Sequence, residues 1–132
     1  ILYEKKIPIL AICRGMQLLQ INDNRKLIPV RNHIKVEHEL FDELNQKEKA
    51  IFTVNSFHSW GIDKKDLNDN FNSLLTHSDG TVEAILHKRF PCIGIMWHPE
   101  RSSNDKYKSD IWLKNYLNRL IFNKQKTHEL FK

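Results

Sequence analysis

The segment that most restricts the fold is the apolar run Pro8-Ile9-Leu10-Ala11-Ile12, which passes directly into Cys13-Arg14-Gly15. A half-exposed strand alternates polar with apolar residues. An unbroken apolar run bounded by Pro reads instead as a strand buried on both faces, the pattern of a parallel sheet. Met16, Leu18, Leu19 and Ile21 then lie among polar residues over about two helical turns, as in a helix packed on such a sheet. Strand, tight turn and helix follow one another, and Asn22-Asp23-Asn24 ends the helix. A cysteine in that turn is held at the sheet rim, where the helix N-terminus favours its thiolate. Gly15 suits a turn with little room for a side chain. The other reading of Cys13 is a buried, inert thiol at a strand end, since free Cys is often buried.

Further elements follow from pattern. His33 to Leu40 alternates Ile34, Val36 and Leu40 with Lys35, Glu37 and Glu39, as a half-exposed strand does, and a polar loop runs on to Lys49. Ala50 to Val54 is a strand that runs into Asn55-Ser56-Phe57-His58-Ser59-Trp60-Gly61. Asn72 to His77 and Thr81 to His87 flank Ser78-Asp79-Gly80, and Asp-Gly predicts a hairpin turn with both central residues at positive φ. Cys92 to Met96 is another buried strand, and Ser109 is placed to cap a helix carrying Ile111, Leu113, Leu117, Leu120 and Ile121. Ile1 to Lys6 resembles the last turn of a helix already under way, so an N-terminal part of the fold is expected to be missing from this chain.

His98-Pro99-Glu100 stands at the end of the strand from Cys92. Residues two apart on an extended backbone point the same way, so the imidazole and the carboxylate lie together while Pro99 faces away. A thiol nucleophile needs an imidazole to take its proton, and the imidazole needs an acceptor to fix its tautomer. Cys13, His98 and Glu100 supply those roles. Two cysteines, Cys13 and Cys92, are too few for a disulfide scaffold, and Cys92 reads as core. His33, His38, His77, His87 and His128 show no paired ligand spacing and read as strand, loop or tail residues. No metal and no cofactor is expected.

The formal charge of +5 on 132 residues raises the question of an anionic partner. Residues 1–100 carry 13 basic and 13 acidic side chains, and residues 101–132 carry 8 and 3, so the excess sits at the C-terminal end. Those basic residues lack the aromatic interleaving of single-strand binders, and no nucleic-acid partner is expected. No apolar run reaches the roughly 18 to 20 residues that span a bilayer. The expectation is a protein of the cytoplasm with no membrane partner.

Four blocks carry a resemblance: Ala11-Ile12-Cys13-Arg14-Gly15-Met16-Gln17, Val54-Asn55-Ser56-Phe57-His58, Asp79-Gly80-Thr81-Val82-Glu83-Ala84-Ile85 and Gly94-Ile95-Met96-Trp97-His98-Pro99-Glu100. Together they resemble class I glutamine amidotransferase domains, and within these the gamma-glutamyl hydrolase branch, which Cys13-Arg14-Gly15 favours. The narrower likeness, carried by Asn32-His33-Ile34 and Asn55-Ser56-Phe57-His58, is to gamma-glutamyl-CDP-amidate hydrolases of bacterial surface-polysaccharide phosphoramidate (capsule) biosynthesis. The resemblance implies an α/β fold of flavodoxin-like type, a mostly parallel sheet flanked by helices, with an antiparallel hairpin added. It implies a Cys13-His98-Glu100 catalytic triad that forms a thioester with a small gamma-glutamyl substrate, the Arg14 N–H in the oxyanion hole, and Gln17 with the His58-Ser59-Trp60 backbone against the glutamyl head group; the His58 side chain itself reads either as a substrate contact or as a structural hydrogen-bonding group. Residues 1–123 would be the C-terminal portion of one such domain, and residues 124–132 a polar basic tail.

The family usually has Gly where this chain has Ala11, so an extra methyl must fit beneath the turn. It also has N-terminal strands and a Gly-rich loop that supplies a second oxyanion donor. Gamma-glutamyl-GABA is an alternative substrate; release of ammonia to a partner synthase, or an inactive fragment, are alternative functions. A glutamine-analogue electrophile is expected to label Cys13 rather than Cys92, which peptide mapping checks.

Overall fold

A computed structural model describes residues 6–22, 24–43 and 49–122. In chain order these form β1 (Ile9–Ile12), α1 (Arg14–Ile21), β2 (Ile28–Pro29), β3 (Ile34–Asp42), β4 (Phe52–Phe57), β5 (Trp60–Gly61), a 3-10 turn at Lys64–Asp66, β6 (Phe71–Thr76), β7 (Val82–His87), β8 (Cys92–Ile95) and α2 (Lys106–Phe122). The main sheet has the order β1-β8-β7-β6-β3-β4, and β2 pairs with β5 in a separate ribbon. The readings of Ile1 to Lys5, of the loop centre at 44–48 and of the tail 124–132 with His128 fall outside the described residues.

Strand, turn and helix stand where the apolar run places them. The sheet is mixed rather than mostly parallel. Only β1 and β8 run parallel, while β8–β7, β7–β6, β6–β3 and β3–β4 are antiparallel. Short connections favour this for β3–β4, β6–β7 and β7–β8, since antiparallel strands can be joined by a short loop and parallel ones need a long crossover; β3 and β6 are antiparallel across a longer connection, and β1 and β8 are joined through most of the chain. Among the described residues β1 is an edge strand, and Ile9, Leu10 and Ile12 are half-buried rather than covered on both faces.

Helices cover both faces. Met16 of α1 joins Cys13, Phe71, Ile85, Cys92 and Met96 on one side. Leu113 and Leu120 of α2 join Leu40, Val54, Leu74, Ile93, Ile95 and Trp97 on the other. Successive residues of β8 therefore feed alternate layers, as the pleat dictates. No helix among the described residues is long and apolar enough to cross a membrane.

Two local expectations are corrected. The β6–β7 turn has positive φ at Gly80 alone, at 87°. The Gly80 N–H donates to His77 O at 3.0 Å and the His77 N–H to Thr81 O at 3.0 Å, so the loop is longer than a two-residue turn and only its last residue is left-handed. Ser109 does not cap α2. The helix starts at Lys106, and Ser109 is buried inside it with its hydroxyl donating to Lys106 O at 3.1 Å. Asp105, just ahead of the helix, instead accepts the Thr53 N–H at 2.8 Å and ties α2 to β4.

Gly94 sets how closely α1 approaches the sheet. A Cβ there would stand 2.9 Å from Ile85 Cγ1 and 3.1 Å from Met16 Cγ. Gly94→Ala is expected to destabilise the fold by about 1 to 3 kcal/mol through overpacking. The check is a lowered denaturant midpoint with the slope of the transition unchanged.

Candidate active site

Cys13 is the residue at which β1 becomes α1. Its backbone sits at φ 49°, ψ −97°, a conformation that costs a non-glycine residue on the order of 1 to 3 kcal/mol. Two hydrogen bonds hold it: the Cys13 N–H donates to Ile95 O at 2.7 Å, and Cys13 O accepts the Gln17 N–H at 3.0 Å. A Cβ on Gly15 would lie 3.3 Å from the Ala11 methyl, so the methyl beneath the turn is accommodated because position 15 has none.

The electrostatics of Cys13 reverse one expectation. Burial above all, and then the Glu83 carboxylate, push the thiol above its ordinary 9.0; the Arg14 backbone N–H that donates to the sulfur and the Arg101 guanidinium pull it down less strongly, and Glu100 adds an upward push. A helix N-terminus acts over its first turn, but here it does not outweigh desolvation and a nearby carboxylate. The resting group is a thiol.

His98 follows β8 on the same side as Cys13, because β1 and β8 are parallel with Ile12 opposite Ile95. His98 Nδ1 lies 2.6 Å from Glu100 Oε1, so the Nδ1–H donates to the carboxylate and Nε2 carries the lone pair. Asn55 clamps the backbone at this point. Its amide accepts the His98 N–H at 2.9 Å and donates to His98 O at 2.8 Å. Phe57 stands edge-on to His98, with ring centroids 6.0 Å apart, and Arg101 lies over Phe57 at 4.3 Å. Slight burial works upward on Glu100, but its own backbone N–H, the His98 hydrogen bond and charge, and Arg101 hold the carboxyl below its usual range.

Gln17, His58 and Trp60 converge at one atom. Trp60 O accepts hydrogen bonds from Gln17 Nε2 at 3.0 Å and from His58 Nδ1 at 2.9 Å. A surface groove of about 370 Å³ is lined by Arg14, Gln17, Leu18, Ile21, Leu27 and Trp60. Ser59 is exposed beside it, with its carbonyl on the Val30 N–H. The groove therefore gathers Arg14, Gln17 and Trp60, whereas His58 is buried behind it and His98 and Glu100 lie at the β8 end outside its lining.

The structure also assembles residues that sequence spacing did not. His33, His38, His58 and Glu83 are all buried, and their potential ligand atoms lie within 4.8 Å of one another. A bulge makes this possible. Ile34 faces Phe57 and Val36 faces Ser56, so Lys35, at φ 54°, is an extra residue that changes the side on which its successors emerge. His33 and His38, five apart, would otherwise point to opposite faces. Asn55 and Glu83 sat inside the blocks read from sequence, yet neither was assigned a role, because each acts through contacts between distant strands. His87 is buried against Phe71 and Phe90.

The model of the class I glutamine amidotransferase family matches residues 1–115. The chain belongs to the class I glutamine amidotransferases. Within that family it is 43% identical over 100 residues to the gamma-glutamyl-CDP-amidate hydrolase of Campylobacter jejuni, covering 76% of this chain and 46% of that protein. It is 28% identical to the arginine-specific small chain of carbamoyl phosphate synthase from Bacillus subtilis, covering 85% of this chain and 33% of that one. A glutamine amidotransferase from Thermotoga maritima of known structure superposes with a TM-score of 0.62 at 18% identity, covering 98% of this chain and 55% of that one. The chain thus spans less than half the length of these two curated relatives, and the likeness to the solved structure establishes the fold.

For an amidotransferase domain the raised thiol is the property with a direct readout. A group whose pKa is raised stays protonated at neutral pH, so alkylation of Cys13 by iodoacetamide is expected to keep accelerating through pH 9.0. A rate that levels off below pH 8, measured by mass spectrometry on the Cys13 peptide, contradicts this.

Proposed function

We propose that the protein hydrolyses a gamma-glutamyl amide through a thioester on Cys13, with His98 as the base and Glu100 as its orienting acid. The observation that carries the reading is the His98–Glu100 hydrogen bond of 2.6 Å in the segment just after β8, the strand paired in parallel with the one that leads into Cys13. Because the resting group is a thiol, the first step is transfer of the Cys13 proton to His98 Nε2 as sulfur attacks the amide carbonyl carbon. The carbonyl oxygen takes the developing charge, and the Arg14 N–H, which donates to the sulfur at rest, is the donor assigned to it. His98 returns the proton to the leaving amine. Water, deprotonated by the same imidazole, then cleaves the thioester and frees glutamate.

Gln17 and the backbone of His58, Ser59 and Trp60 are assigned to the glutamyl head group; the Gln17 and His58 side chains fix that backbone by donating to Trp60 O. The favoured substrate is gamma-glutamyl-CDP-amidate in surface-polysaccharide phosphoramidate biosynthesis, supported by the 43% identity to the Campylobacter jejuni hydrolase. Gamma-glutamyl-GABA is the alternative substrate. A glutaminase that passes ammonia to a synthase is supported by the more distant carbamoyl phosphate synthase small chains. The reading includes a cytoplasmic location and residues 1–123 as the C-terminal portion of one domain.

In the full-length protein, His98→Ala is expected to abolish turnover and Glu100→Ala to leave a remainder about tenfold or more above it, because the imidazole moves the proton and the carboxylate orients it. Wild-type rates in His98→Ala would assign the base elsewhere. Among substrates, kcat/KM is expected to be higher for gamma-glutamyl-CDP-amidate than for glutamine. A preference for glutamine that appears only with a partner synthase would favour the ammonia-supplying role.

A further inference from the structure

We infer that His33, His38, His58 and Glu83 form a buried site for one divalent transition-metal ion of the zinc class. The four residues come from three separate parts of the fold: the entrance and middle of β3, the end of β4 and the start of β7. Each is 5% exposed or less.

The distances suit a tetrahedral ion. Zinc bonds nitrogen and oxygen at about 2.0 to 2.2 Å, which places neighbouring ligand atoms of a tetrahedron roughly 3.3 to 3.5 Å apart. His38 Nε2 to His33 Nδ1 is 3.0 Å, His33 Nδ1 to His58 Nε2 is 3.2 Å, and His58 Nε2 to Glu83 Oε2 is 3.6 Å. No pair among the four exceeds 4.8 Å, so contraction of roughly 1.5 Å at the widest edge completes the shell.

The outer contacts of the rings favour lone pairs directed inward. His33 Nε2 lies 2.6 Å from Asp79 Oδ2, and His58 Nδ1 lies 2.9 Å from Trp60 O. Neither acceptor has a proton to give, so each of these ring nitrogens donates. That leaves His33 Nδ1 and His58 Nε2 unprotonated in the neutral rings, 3.2 Å apart, with the Glu83 carboxylate beside them. His38 Nε2 could satisfy His33 Nδ1 by donating to it, but the His58 lone pair and the unpartnered Glu83 carboxylate would still face and repel one another unless a positive charge joins them. Holding the outer nitrogen with a carboxylate or a backbone carbonyl is how metal-ligating histidines are oriented.

Glu83 is the second, independent observation. Its carboxylate is buried and neither oxygen accepts a hydrogen bond, although both can accept two. An uncompensated buried carboxylate is among the most expensive groups a core can hold. Asp79 Oδ1 accepts from the Thr81 hydroxyl and N–H, which leaves Oδ2 for His33. Two carboxylates, Glu83 among the ligands and Asp79 behind His33, match the charge of a divalent ion.

The rival occupant is a single proton, as an imidazolium at His33 or His58 facing Glu83. Metal analysis of the full-length protein separates the two. We expect one equivalent of Zn²⁺ per chain after dialysis, and a melting temperature raised by roughly 10 °C when free Zn²⁺ is 100-fold above its dissociation constant. Co²⁺ in its place should give the visible bands of a tetrahedral site without a sulfur-to-cobalt band. His38→Gln and Glu83→Gln should each weaken Zn²⁺ at least tenfold. If either fails to fold, Asp79→Asn should keep the stoichiometry and weaken Zn²⁺ about 10- to 100-fold.

Three results would overturn the site. One is a folded wild-type protein that binds no Zn²⁺ and shows an imidazolium ¹⁵N signal from His33 or His58. Another is Zn²⁺ affinity unchanged in the folded variants. A third is a sulfur-to-cobalt band abolished by Cys13→Ser, which would place the ion on the thiol. None of these readouts depends on turnover, so the hydrolase reading stands or falls separately.

Discussion

The parallel pairing of β1 with β8 is the interaction on which the site depends. It sets Ile12 opposite Ile95 and lets the Cys13 N–H reach Ile95 O. One hydrogen bond thereby locks a strained backbone position at the end of one strand to the strand that leads to His98. Gly94 extends the same control, because its missing side chain lets α1 settle against β8 and fixes the level at which Cys13 leaves the sheet. Asn55 completes the frame from β4 by holding both polar backbone groups of His98.

Desolvation and charge around Cys13 matter as much as its position. The pocket that buries the sulfur also brings it within range of Glu83, and both effects favour the neutral thiol over the weaker pull of the Arg14 N–H and Arg101. If Cys13 is the nucleophile of the proposed reaction, it is quiet until a base and a substrate carbonyl are aligned with it. Its reactivity is then set by geometry in the complex more than by a standing thiolate, which limits side reactions with other electrophiles.

Local chemistry made the strand, turn and helix around Cys13 legible in the sequence: an apolar run without alternation, a Cys, a Gly and a short amphipathic stretch say nearly the same thing at every level. The His98–Glu100 pair was legible as a pair but not for the reason its spacing suggests: both residues lie beyond β8, in a turn closed by the Arg101 N–H on His98 O at 3.1 Å, and that turn rather than an extended strand brings them together. What escaped was non-local. The antiparallel character of most of the sheet depends on how β3 sits between β6 and β4, and no residue pattern within β3 states its neighbours. The early start of α2 turns on Asp105 reaching Thr53 across the chain. The convergence of His33, His38, His58 and Glu83 needed strand register, and the bulge that produces it depends on a positive φ at Lys35, a residue type that rarely adopts one.

That bulge makes length, rather than composition, the constrained quantity in this part of the chain. A side chain at position 35 can be exchanged freely as long as its backbone accepts the left-handed region, because it is exposed and packs against little. Removing the residue is a different matter. Strand faces alternate with a period of two, so a one-residue deletion between Asn32 and Val36 would turn either His33 or the whole run from Val36 to Asp42 to the opposite face. Either outcome puts an imidazole in water or a charged side chain in the core, so gene variants here should tolerate substitutions far better than insertions or deletions.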